Sequence, residues 1–100
     1  MQLNDGSLLK FDAYIDGAWV GADGDGRFEV TNPANGEVVG AVPDMGAAET
    51  RRAIEAANAA WPAWRDMPGK ERGNLMRKWF DLLMANQDDL ATIMFTEQGK

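Results

Sequence analysis

The sequence predicts an α+β segment: a β-hairpin arm with one further short strand, followed by three α-helices. Three observations carry that prediction. The turn dipeptides Asp16-Gly17 and Asn35-Gly36 punctuate short apolar runs within the first 45 residues. Beyond Gly46, apolar residues recur three and four positions apart through three successive stretches. The charge divides at the same place. Residues 1–45 hold eight acids and two bases and residues 46–100 hold eight of each, so the first part carries the whole formal charge of −6. The chain thus divides into a strand-and-turn arm over 1–45 and a helical segment over 46–100.

In the arm, Ala13–Val20 places two β-favouring pairs either side of Asp16-Gly17, a dipeptide suited to a type I′ hairpin because both central residues need positive φ. The run Gly21–Gly26 is a loop by composition. As a phosphate cradle it fails, since a dinucleotide-binding glycine loop follows a strand and opens a helix, whereas this loop precedes a strand. As a calcium loop counted from Asp23 it needs a Glu at its twelfth position, which here is Ala34. It reads as a solvated turn. Phe28–Asn32 then alternates apolar and polar residues and Pro33 ends it. Glu37–Val42 is the return strand, closed by Pro43.

The first helix is expected from about Gly46, with Ala47 at its first position and Glu49 placed to suit the helix dipole. Ile54, Ala57, Trp61 and Trp64 share one face, while Glu49, Arg52 and Glu55 lie on other faces and read as solvated. The Ala-rich stretch Ala53–Ala60 favours helix and lets a neighbour approach closely. Pro62 should end or kink the helix near Ala60, or open a following turn. The second helix is expected over Gly69–Ala85, with Leu75, Trp79, Leu82 and Leu83 as its apolar stripe and Met76 and Phe80 widening it. The third starts at Asn86 as N-cap, has Asp88 and Asp89 in its first turn, and meets a C′ glycine at Gly99.

Composition narrows the chemistry. With no Cys and no His, the chain carries no thiolate nucleophile, no Cys-ligated metal and no imidazole base. A charge of −6 disfavours a non-specific nucleic-acid binder or a polybasic membrane surface. No stretch is apolar enough to span a bilayer, and the start has neither basic nor apolar leader regions, so the expected compartment is the cytoplasm. Trp61, Trp64 and Trp79, with Met76, Met84 and Met94, sit on or near helical apolar stripes and are expected to pack in a core rather than form a ligand cage. Asp88 and Asp89 are explained by helix start rather than as an acid–base pair, and Arg51-Arg52 reads as a solvated face. No residue is assigned a catalytic, cofactor-binding or metal-binding role.

Several segments together are similar to the N-terminal region of NAD(P)+-dependent aldehyde dehydrogenases, with succinate-semialdehyde dehydrogenase the nearest subgroup. They are Ile15, Gly17 and Trp19 in an Ile-x-Gly-x-Trp pattern; Asn32-Pro33-Ala34-Asn35-Gly36; Ala60-Trp61-Pro62-Ala63-Trp64; Glu71-Arg72; and Glu97-Gln98-Gly99-Lys100. The resemblance implies an α/β parent enzyme that oxidises an aldehyde to an acid. There a Cys thiolate attacks the carbonyl, hydride passes to the nicotinamide and a Glu-activated water releases the acid. The family's nucleophile, base, oxyanion donor and cofactor-binding glycines all fall beyond residue 100, so none is carried over, and neither Glu97 nor Lys100 replaces them. One departure is Pro68, where the family places a Ser or Thr cap; Asp66 is a substitute, or else the second helix loses ~1 kcal/mol.

The resemblance implies an N-terminal fragment of a succinate-semialdehyde (or similar small semialdehyde) dehydrogenase. Residues 46–100 then form an incomplete part of the cofactor-binding domain, the parent enzyme uses NAD or NADP, and it assembles as a homo-oligomer. The chain alone is expected to bind no cofactor and to be inactive, and its Trp79–Leu83 face to be exposed. The competing reading is a stand-alone, non-catalytic interaction module that uses that apolar face.

Overall fold

The computed structural model describes residues 1–99. The α+β class and the order of strands before three helices hold, but the arm contains two separate hairpins. In the first, β1 (Ala13–Ile15) pairs antiparallel with β2 (Ala18–Val20), Tyr14 opposite Trp19. Asp16 and Gly17 form the turn with φ of 51° and 78°, the type I′ requirement. The predicted extra short strand, β3 (Arg27–Thr31), is itself paired antiparallel with the return strand β4 (Val38–Pro43), with an irregularity between Val30 and Thr31. An additional 3-10 turn at Gly6–Leu8, unforeseen from the sequence, is capped by Asp5, whose Oδ1 accepts from the Ser7 N–H at 3.0 Å and hydroxyl at 2.6 Å.

Helix α1 spans Ala47–Asp66. It runs through Pro62 instead of ending near Ala60. Proline's fixed φ is compatible with helix, so the loss is one hydrogen bond, and exposed Asn58 leaves the freed carbonyl open to water. The alanine side of α1, with Ala53, Ala56, Ala57 and Ala60, faces Tyr14–Gly17 of the first hairpin across a shallow cleft. Helix α2 (Gly69–Ala85) has the predicted bounds but starts at Pro68 with no side-chain cap. Asp66 does not substitute, because its carboxylate is paired with Arg65 at 2.9 Å. Helix α3 covers Gln87–Gln98 and closes on Gly99 at φ 72°. Asn86 serves the junction differently from the expected cap. Its side-chain amide donates to the Leu82 carbonyl at 2.9 Å, closing α2, while its own carbonyl accepts from Leu90 and starts α3.

The expected Trp and Met core is not met within this chain. Ala22 is the one buried hydrophobic residue among the described residues; Trp64 is half-buried, and Trp61, Trp79, Met76, Met84 and Met94 are all exposed. The cause is geometric: the main packing of α2 is against α3, and its stripe stays largely open to solvent. The radius of gyration is 16.6 Å, against ~13 Å for a compact domain of 100 residues. The accessible surface is 7588 Å², about 2,000 Å² above the ~5,600 Å² that a compact monomer of this mass exposes.

Candidate functional site

Two joints fasten the arm to the helices, and each is built on an acid at the third position of a helix. At the α1 joint, Glu49 is buried, not solvated. Its Oε1 accepts the Gly46 N–H at 3.3 Å and its Oε2 the Asp23 N–H at 3.4 Å, so it caps its own helix and holds the Gly/Asp loop. Arg52 lies on the exposed face as expected, and its guanidinium donates to Asp23 at 2.6 Å, a contact that raises its pKa above the ordinary value. Asp23 is therefore committed to a cation, and Asp25 takes the turn's left-handed position at φ 58°.

At the α3 joint, Asp89 is 5% exposed. Its two oxygens accept the main-chain N–H groups of Asn4 and Asp5, both at 2.8 Å. These residues and Met84–Asp88 line a polar cleft of about 260 Å³. Sequence reasoning absorbed Glu49 and Asp89 into helix starts. Their only signal was an acid at the third helical position, and nothing local says that the chain from 26 or 84 residues away will lie on it.

The third feature is the α2 face. Trp79 is 58% and Leu82 64% exposed, and Leu75, Met76, Phe80, Leu83 and Met84 are exposed with them. Monomeric proteins rarely leave a contiguous apolar surface of this kind uncovered unless something binds it. On the arm, Trp19 is stacked edge-on with Tyr14 at 5.1 Å and lies under the Lys10 ammonium at 5.3 Å, also near the surface.

None of these places assembles a nucleophile with a base. Glu97 stands exposed near the end of α3, and Lys100 lies outside the described residues. Among the described residues no three His, Cys, Asp or Glu are grouped to hold a metal ion, and no helix is long and apolar enough to cross a membrane. The residues present do not fit a dinucleotide either. The Gly21–Gly26 loop leads into β3, not into a helix, and presents Asp23 and Asp25 where a pyrophosphate would need amides. What the arrangement can do chemically is to fix an arm and present an apolar face.

Comparison with known proteins gives the face a context. The profile described as "Aldehyde dehydrogenase family" matches residues 19–100. Glutarate-semialdehyde dehydrogenase of Pseudomonas aeruginosa is 61% identical over all 100 residues, which are 21% of that protein. NADP(+) succinate-semialdehyde dehydrogenase of Escherichia coli is 54% identical over the same span, again 21% of its length. Among solved structures, succinate-semialdehyde dehydrogenase from Burkholderia pseudomallei superimposes with a TM-score of 0.92 at 57% identity, over 96% of this chain and 20% of that one. An E. coli NADP-dependent enzyme superimposes with a TM-score of 0.95 at 54% identity, over 99% of this chain and 21% of that one. The chain spans about a fifth of the length of the curated relatives it matches. A profile match over most of the chain, together with this agreement in both sequence and backbone, places it in the aldehyde dehydrogenase family.

Proposed function

We propose that this chain is the amino-terminal fifth of an NAD(P)+-dependent dehydrogenase that oxidises succinate semialdehyde, glutarate semialdehyde or a similar small semialdehyde to its acid. On this reading the protein is cytoplasmic and homo-oligomeric, and residues 46–100 are the first part of its cofactor-binding domain. The groups that do the chemistry lie outside these residues, and the chain's own role is to cover and orient.

The observation that carries the reading is the surplus of about 2,000 Å² of surface over a compact monomer, together with an α2 stripe whose large apolar side chains are exposed. A permanent interface buries area of that order and is rich in apolar residues, which suits a segment made to lie against a larger body. Relatives named for semialdehydes support the substrate class. Small apolar and amphipathic helix faces of this kind cover sheets in α/β folds.

NAD(P)H absorbance with succinate and glutarate semialdehyde tests the reading. No turnover is expected from the pure 100-residue chain, and turnover is expected from the protein that carries it within the complete family fold. Clear activity from the pure chain would refute it. A stand-alone interaction module, the competing use of the same face, requires cooperative unfolding of the isolated chain. A chain that binds apolar dye and melts without a transition fits only the covering role.

A further inference from the structure

We infer that residues 1–12 form a strap that opens and closes as one unit, and that Asp89 is its latch. The strap is tied at its two ends and thinly held between them. At one end the Asp89 carboxylate takes the Asn4 and Asp5 amides, one on each oxygen, both at 2.8 Å. At the other, Arg27 on β3 donates to Asp12 at 2.9 Å and to the Phe11 carbonyl at 3.5 Å, while also reaching the Ala41 carbonyl at 2.8 Å. The Phe11 ring lies over Gly40 of β4, where any side-chain carbon would collide with it. Between the ends, the bonds are local: Leu8 to Asp5 and Leu9 to Gly6, each at 3.2 Å.

No residue of the strap is fully buried, and its apolar side chains Leu3, Leu8, Leu9 and Phe11 are half-buried. A segment with partial apolar burial and local hydrogen bonds opens at lower cost than the body it rests on. Its closed position then depends on its anchors, and the buried anchor at Asn4 and Asp5 is Asp89. A carboxylate that accepts two amides is doubly charge-assisted. Its amide counterpart retains one acceptor and turns an N–H toward a second N–H.

The alternative is that Asp89 merely complements the start of α3. The geometry argues against it: among the described residues both oxygens are engaged by the strap, and α3 has no side-chain cap bond of its own.

Amide hydrogen exchange on the intact protein tests the latch. In Asp89→Asn, the amides of Asn4, Asp5, Leu8 and Leu9 should exchange roughly tenfold faster or more, while β3, β4 and the middle of α1 keep their protection. In a protein shortened to begin at Gly6, which also removes the Asp5 carbonyl that Leu8 bonds, Leu9 should already exchange fast, and adding Asp89→Asn should change it little. Unaltered exchange at Asn4, Asp5, Leu8 and Leu9 in Asp89→Asn overturns the inference. So does equal acceleration throughout α3 in the full and shortened backgrounds. If Asp89→Asn does not fold, Asn4→Pro decides instead, because it takes the Asn4 amide from Asp89 and leaves Asp5 in place: faster exchange at Leu8 and Leu9 supports the latch, and unchanged protection overturns it.

Discussion

The joints of the arm and the face of α2 are held to this chain by opposite means. Glu49 and Asp89 are buried acids, each satisfied by main-chain amides brought in from the arm. Trp79 and Leu82 are large apolar groups that meet solvent. Hydrogen bonds are directional and contribute little net stability, about 0.5–3 kcal/mol each, whereas apolar burial is non-directional and supplies most of the driving force for folding. The chain therefore contains the contacts that say where its parts go, and lacks the burial that would hold them there firmly. A segment that fixes geometry internally and leaves its apolar surface outward is built to be completed.

The largest test of that contrast moves the α2 face between environments. In the isolated chain, Trp79→Ala and Leu82→Ala should leave the far-ultraviolet circular dichroism unchanged, because those side chains already meet solvent. Within the complete enzyme they should cost about 3–5 and 2–5 kcal/mol respectively, as buried ones do. Urea midpoints of the complete enzyme and the circular dichroism of the isolated chain measure the difference. Small effects in both would show that the α2 face stays solvated in the enzyme and that the contrast is not one of completion.

A middle-sized effect is expected at the α1 joint. Glu49→Ala removes the return half of the cap, the only half possible when Gly46 has no side chain, and leaves the Asp23 amide without its acceptor. A cost of about 1–2 kcal/mol follows, read as a lowered melting temperature of the enzyme and as a loss of helical circular dichroism in the isolated chain. A Glu49 effect that grew as steeply as that of Trp79 on completion would make the joint part of the covered surface and blur the two regions into one.

The unequal legibility of the two regions has the same physical root. Helix α2 was readable to its ends because Pro68 and Asn86 act locally and the Leu75–Leu83 stripe repeats at helical spacing. The first hairpin was readable because Asp16-Gly17 demands one turn geometry. Glu49 and Asp89 read as solvated or purely local in the sequence and are buried, since each is decided by a segment distant in sequence: the loop at Asp23, the strap at Asn4. The aromatic stripe was misjudged for a related reason. Periodicity tells which face is apolar, and says nothing of whether the covering surface belongs to the same 100 residues. Of the outcomes expected at Pro62, the helix end does not occur: α1 continues through it to Asp66, because proline's fixed φ is itself helical.

The smallest effect lies two residues from Ser7 and sharpens the contrast within the strap itself. Asp5 is exposed, and the Ser7 hydroxyl and amide hold its carboxyl below the ordinary carboxylate value of about 3.9. A folded value lowered in this way means that the turn is stabilised above the ordinary value and loses that contribution as pH falls through Asp5's own, lower value. Ser7→Ala should return Asp5 toward ordinary titration, seen by carboxyl NMR, and move the acid loosening of the Gly6–Leu8 turn to higher pH. The global melting temperature at neutral pH should hardly change, because an exposed acid bonded within its own turn orders only that turn. Asp89 makes the same carboxylate-to-amide bond from a buried site to a segment 84 residues away, so the two acids, one on each side of the Asp5 backbone, separate what the bond does from where it is placed. A large global loss in Ser7→Ala would mean that the strap is held by its own turn, and the weight now given to the buried carboxylate would pass to the exposed one.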